Sequence, residues 1–180
     1  FLLGFVIIPW LRKLHFGQTI LDIGPAWHKS KQGTPVMGGL MFIISIIVSF
    51  AVVLITDKLL GGHILTSGSV VIGDDMKVKI FAGLLMAVAF GLIGFADDFI
   101  KVSKKRNLGL TIAQKTGAQI LVMLAYLAAL YMSGNTYMFI PFVGNVDLKF
   151  FFWIFGAAVI YLTVNTVNFT DGVDGLCASV

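Results

Sequence analysis

The stretch from Ile80 to Ala96 carries no charged residue, and two adjacent aspartates, Asp97 and Asp98, close it. Uninterrupted apolar runs of this kind suit helices that cross a bilayer, which need about 20 such residues. The chain as a whole agrees: 58% of its 180 residues are hydrophobic and 12% charged, against about 25% charged in soluble domains. The expected fold class is therefore an all-α polytopic membrane protein. The single cysteine, Cys177, excludes an internal disulfide framework and a paired-cysteine metal site.

About five transmembrane helices are expected within one transmembrane domain over residues 1–180, at about 1–12, 36–55, 78–99, 113–132 and 150–167. A sixth is expected to start near residue 173. The chain opens without methionine, on an apolar stretch half as long as a span needs, and stops inside another. It is expected to be a fragment of a longer chain. Pro35 stands just ahead of the second segment, where proline suits a helix start. Tyr137–Val143 and Val146–Phe150, flanking Gly144-Asn145, predict a small extracytoplasmic β-hairpin.

The loops alternate in charge. Arg12, Lys13, Lys29, Lys31, Lys101, Lys104, Lys105, Arg106 and Lys115 fall on one side, and Lys58, Lys77, Lys79 and Lys149 on the other. The positive-inside rule assigns the first side to the cytoplasm.

Three stretches on that side are unusual. Lys31-Gln32-Gly33-Thr34-Pro35-Val36-Met37-Gly38-Gly39 brings a lysine, a hydroxyl and glycines to a helix N-terminus, where free backbone N–H groups favour anions. An ordinary loop-to-helix junction, with glycines for close helix packing, is the competing reading and, for this stretch taken alone, the favoured one.

The second is Asp97-Asp98. Acids at a helix C-terminus oppose the macrodipole, and charge costs about 2.5–3.5 kcal/mol at mid-bilayer and less near the surface. Adjacent residues on a helix point about 100° apart, so the two acids suit different tasks. Lys101 and Lys105, four apart, share a face and suit a phosphate. The competing reading is a solvated, charge-balanced helix end. The same dipeptide recurs at Asp74-Asp75, beside Gly73 in a loop on the opposite side, where turn chemistry accounts for it.

The third runs from Asn165 to Gly175, with polar side chains at Asn165, Asn168, Asp171 and Asp174 and glycines at 172 and 175 that admit close backbone approach to a ligand. A capped turn between helices is the alternative. The three histidines have no metal-ligand spacing. Together the stretches gather four aspartates and at least five cations on one face. Carboxylates supply hard oxygens for Mg²⁺, which is held by one or two of them plus substrate phosphates. The residues thus point to an enzyme acting on a phosphorylated substrate at the membrane surface.

Lys31–Gly39, Asp97-Asp98 with Lys101, Lys105, Gly109-Leu110 and Lys115, and Asn165–Leu176 resemble, in order, the motifs of the phospho-N-acetylmuramoyl-pentapeptide-transferase family. Gly17-Gln18 and Asp22-Ile23-Gly24-Pro25 also fit, and the Gly33-Thr34-Pro35 wording favours this branch over other polyprenyl-phosphate N-acetylhexosamine-1-phosphate transferases. Val36 departs from the family, which often has threonine there.

The resemblance implies transfer of phospho-N-acetylmuramoyl-pentapeptide from its UDP-linked precursor to undecaprenyl phosphate, with Mg²⁺, at the cytoplasmic face of the bacterial inner membrane. By the same resemblance, Asp97 and Asp98 are catalytic, Asp97 as base and Asp98 near the metal. Lys105 and Lys115 contact phosphate, and Lys31, Asn168, Asp171, Gly172 and Asp174 line the uridine site. The resemblance also implies a homodimer and binding of uridine-type antibiotics, and no nucleic-acid partner is expected. Further catalytic residues of the family lie beyond residue 180, so these residues alone are expected to be inactive. A transporter of an anionic substrate is the competing class; transporters place broken helices and charge near the midplane.

Overall fold

The computed structural model describes residues 3–13, 37–61, 66–67, 70–71, 73–104 and 108–170. In chain order the elements are α1 (Gly4–Lys13), α2 (Gly39–Leu59), β1 (Thr66–Ser67), β2 (Val70–Val71), α3 (Asp74–Ser103), α4 (Ile112–Met132), β3 (Tyr137–Ile140), β4 (Gly144–Asp147) and α5 (Phe151–Thr170). Among the described residues, four helices are long and apolar enough to cross a membrane: α2, α3, α4 and α5. The expected sixth helix lies outside the described residues.

α2 shows why this is a membrane fold. Its Ile- and Val-rich sequence would be a mediocre helix in water. In hydrocarbon every backbone polar group needs an internal partner, and a helix supplies one regardless of side chain. Phe42, Ile44, Ile46, Ile47 and Val52, distributed around the helix, are all exposed, a pattern of apolar residues all round that suits lipid.

Helix boundaries differ from expectation in an instructive way. α2 starts at Gly39, past Pro35, with Gly38 as an N-cap that offers no side-chain bond. Just before it Met37 adopts φ 72°, a strained value for a residue with a side chain. Burial of that side chain compensates: Met37, Ile7 and Leu11 form a core flanked by Leu40, Met41, Phe95 and Val102. α2 continues past Ile55 through Asp57 and Lys58, and Gly61 at φ 95° follows its end.

α3 extends beyond its apolar run at both ends. It begins at Asp74, not Val78, so Asp74-Asp75 is a helix start and not a turn. The amides of Met76 and Lys77 already donate to the Gly73 carbonyl at 3.0 and 3.2 Å, and acids suit a helix N-terminus. At the other end α3 continues to Ser103. Asp97 and Asp98 therefore lie more than a turn inside the helix, where the dipole penalty expected for them has faded. Thirty residues make a helix of about 45 Å, longer than the roughly 30 Å hydrocarbon core.

The hairpin also differs in register. Tyr137 pairs with Asp147, and Ile140 with Gly144, so Gly144-Asn145 belongs to β4 and is not the turn. Pro141-Phe142-Val143 turn the chain, closed by the Val143 amide donating to Ile140 O at 3.1 Å. Proline at the first central position and Phe142 at φ 69° follow the pattern of a type II turn. Asp147 ties the hairpin to its exit: Thr136 Oγ1 donates to Oδ1 at 2.7 Å and the Lys149 amide to the same oxygen at 3.1 Å.

The chain forms two compact units, Phe1–Ile72 with Ala87–Thr116, and Gly73–Met86 with Gly117–Val180. In the first, α2 and α3 approach closely at Gly91, where a β-carbon would sit 2.7 Å from Ile43 Cδ1. In the second, Gly156 of α5 faces Leu127 of α4, where a β-carbon would lie 2.7 Å from Cδ2. Small residues at such crossings let membrane helices pack by van der Waals contact. The rings of Tyr131 and Trp153 extend this contact, with centroids 5.6 Å apart.

Candidate active site

The acid pair of α3 is held by a lysine of its own helix. Lys101 Nζ lies 2.6 Å from Asp97 Oδ2 and 3.2 Å from Asp98 Oδ1. Spacings of four and three put both acids within reach of one cation. Lys101, expected at a phosphate, is thus engaged by two carboxylates, and the trio carries one net negative charge.

The two acids occupy different settings. Asp97 is buried, 9% exposed. Its second oxygen, Oδ1, accepts the Leu110 amide at 2.8 Å, across the connection between α3 and α4. Asp98 has a side chain 39% exposed. Among the described residues its Oδ2 has no hydrogen-bond partner.

Gly109 explains how the connection approaches so closely. A β-carbon there would fall 2.8 Å from Asp97 Cγ and 2.9 Å from the Asp97 carbonyl, and would collide with Oδ1. Only glycine leaves room for that carboxylate. After Leu110 the chain enters α4 through a reciprocal cap. The Thr111 amide donates to Gln114 Oε1 at 3.1 Å and the Gln114 amide to Thr111 Oγ1 at 3.2 Å, the Thr-x-x-Gln form of a capping box.

Lys115 lies in the first turn of α4 and is close enough to Asp97 to interact with it electrostatically. A cation in the first turn opposes the helix dipole, a cost that a bound anion would relieve.

Asn165 and Asn168 both lie in α5, in the other unit. Asn165 Nδ2 donates to its own helix at Tyr161 O, 2.8 Å away. Lys31, Lys105, Asp171, Gly172 and Asp174 lie outside the described residues. The structure therefore brings together Asp97, Asp98, Lys101 and Lys115. It also gives Gly109 and the Leu110 amide a role beside Asp97; the sequence names the pair only as part of the second motif, and no side-chain pattern announces that role.

Among the described residues, no group of three or more His, Cys, Asp or Glu could hold a metal ion. Mg²⁺ does not need such a group, because one or two carboxylates plus substrate phosphates suffice. Asp98, with an accessible oxygen, fits that donor role; Asp97, with both oxygens engaged, does not fit it as arranged.

A multi-pass helical membrane protein with paired carboxylates and lysines beside the end of a span is the class these features define. The chain belongs to glycosyl transferase family 4, whose sequence profile it matches over residues 80–180. It is 39% identical over 98% of its length to a protein of Oceanobacillus iheyensis named phospho-N-acetylmuramoyl-pentapeptide-transferase, of which the match covers 50%. Proteins of the same name from Bacillus licheniformis (41% identity, 97% of this chain, 50% of that protein) and Bacillus cytotoxicus (39%, 95% and 48%) are similar. The chain thus spans about half the length of the curated relatives it matches. No solved structure matches it at a significant level. These relatives do not favour a transporter.

Proposed function

We propose that this chain, within a protein the length of its relatives, takes part in transferring phospho-N-acetylmuramoyl-pentapeptide from its UDP-linked precursor to undecaprenyl phosphate at the cytoplasmic face of the bacterial inner membrane. An oxygen of the lipid phosphate attacks the sugar-bearing phosphorus of the UDP-linked donor. The bond from that phosphorus to the oxygen of UMP breaks, UMP leaves with the electron pair, and lipid I remains. The cluster of Asp97, Asp98, Lys101 and Lys115 supports this reading, because it sets carboxylate oxygens beside cations near the end of an apolar helix.

The attacking phosphate needs little help from a base. The second pKa of a phosphate monoester is about 6, so it is already mostly dianionic at neutral pH. Electrostatic positioning is then the larger task. Lys115, in the first turn of α4, offers its charge to a phosphate, Lys105 serves as a second phosphate contact, and Lys101 stays paired with the two carboxylates. Asp98 would hold Mg²⁺ through a carboxylate oxygen, and the ion when bound would offset diphosphate charge. Lys31, Asn168, Asp171, Gly172 and Asp174 serve the uridine end of the donor, and Asn165 is a further substrate-binding residue. Uridine-type antibiotics compete there, the protein works as a homodimer, and residues 1–180 alone are inactive.

The test offers the purified full-length protein equal UDP-N-acetylmuramoyl-pentapeptide and UDP-N-acetylglucosamine with undecaprenyl phosphate and Mg²⁺. Mass analysis of the lipid product should show the muramoyl-pentapeptide lipid. A product carrying only N-acetylglucosamine would assign the chain to another branch of the same chemistry.

A further inference from the structure

We propose that Gly109 and the Leu110 amide are positioning elements of the active site: together they form a backbone seat that fixes the Asp97 carboxylate, leaving Asp98 as the acid presented to ligands. This rests on the transferase reading for its catalytic consequence, but the seat itself is a structural relationship.

Three observations converge on it. Asp97 Oδ1 accepts the Leu110 N–H at 2.8 Å, thirteen residues along the chain. The space a β-carbon would need at Gly109 is occupied by that same carboxyl group and by the Asp97 carbonyl at 2.9 Å. The other oxygen, Oδ2, is held by Lys101 at 2.6 Å. A carboxylate gripped on both oxygens, 9% exposed, is poorly placed to take a proton from a lipid phosphate. It is well placed to fix two things. It orients Lys101, which also bonds Asp98 at 3.2 Å, and it docks the connection that leads through the Thr111 cap to Lys115. Asp97 thus sets the spacing between the acid that suits a metal and the cation that suits a phosphate. Misplacing catalytic groups by about 1 Å can cost on the order of 100-fold in rate.

The seat predicts a specific pattern among three variants of the full-length protein. Gly109→Ala inserts a β-carbon into the carboxylate. Asp97→Ala removes the acceptor. Asp97→Asn keeps an oxygen for the Leu110 amide while losing the charge. Hydrogen exchange followed by mass spectrometry should find the segment around Leu110 protected in the wild type and in Asp97→Asn, and unprotected in the other two. Turnover should fall on the order of 100-fold in Gly109→Ala, chiefly in kcat, with the KM for the UDP-sugar within about threefold. In an Asp97→Ala background, Gly109→Ala should cost less than it does in the wild type, since the carboxyl group is gone and only the Asp97 carbonyl at 2.9 Å still crowds the new β-carbon. Gly117→Ala, where a β-carbon meets open space, controls for a general effect of replacing glycine.

Unchanged exchange at Leu110 in both Gly109→Ala and Asp97→Ala would overturn the seat. So would wild-type turnover in Gly109→Ala. A wild type that forms no lipid product would instead defeat the transferase reading, and the exchange pattern would still decide whether Gly109 and Leu110 hold Asp97.

Discussion

Leu110 donates its backbone N–H to Oδ1 of Asp97 at 2.8 Å, so a buried carboxylate inside α3 anchors the start of the path into α4. Among the described residues, the neighbouring acid makes no such contact. Asp98 bonds Lys101 through one oxygen and presents a side chain 39% exposed. Adjacent residues of one helix are thereby given separate work, one inward and one outward.

Replacing the outward acid should show this division. Asp98→Asn removes the charge that suits Mg²⁺ while leaving Asp97, Lys101 and Leu110 in contact. Turnover with Mg²⁺ is expected to fall by about 10²–10³-fold, the scale on which losing one key electrostatic group is felt, while binding of undecaprenyl phosphate changes by less than about threefold. Steady-state rates and lipid-phosphate binding on purified full-length protein check it; equal loss of both would contradict the metal role.

The cap of α4 should matter for both stability and activity. Thr111→Ala removes the oxygen that accepts the Gln114 amide, at a cost of about 1 kcal/mol. Because the same turn carries Lys115, activity should fall as well. Thr111→Ser keeps the hydroxyl and should restore both, as read by thermal unfolding and turnover.

How much of this was legible in the sequence depends on which physical signal encoded it. The four spans were, because apolar runs such as Ile80–Ala96 have no stable alternative to a helix in lipid. Their ends were not. Hydropathy marks where hydrocarbon stops, whereas backbone hydrogen bonding carries α3 from Asp74 to Ser103. That difference moved Asp74-Asp75 from a turn into a helix start and Asp97-Asp98 away from a helix end. The hairpin was legible as two strands, but Pro141 and Phe142 took the turn expected at Gly144-Asn145. Asp97, Asp98, Lys101 and Lys115 stood out as charges at a membrane edge. The Gly109 seat did not, because its donor is a backbone amide and its key property is a missing side chain.

Packing in the second unit gives a stability test. Leu127 is buried and fills the space beside Gly156. Gly156→Val should overpack this crossing and destabilise the protein by about 1–3 kcal/mol. Shrinking the partner, as Leu127→Ala in the same chain, should recover part of the loss. Thermal unfolding in detergent reads both; no loss in Gly156→Val would show that the helices do not meet there.

The hairpin should respond to acid. The Thr136 hydroxyl and then the Lys149 amide, both bonded to Asp147, hold its carboxyl below the usual carboxylate value of 3.8. A lowered pKa in the folded state means that the contribution to stability is present in full above the unfolded value. It is lost as pH falls below 3.8 and through the lower folded value. Hydrogen exchange of residues 137–147 should therefore be pH-insensitive in relative protection near neutrality and weaken in that acid window. Thr136→Ala should move the weakening to higher pH.

As proposed, the protein breaks the diphosphate of a UDP-sugar on behalf of a lipid phosphate. Release of UMP by the purified full-length protein tests it most directly. With UDP-N-acetylmuramoyl-pentapeptide, undecaprenyl phosphate and Mg²⁺, UMP should appear in one-to-one ratio with lipid I, and omission of the lipid phosphate should abolish it. Binding or translocation of the UDP-sugar without UMP release would contradict the account.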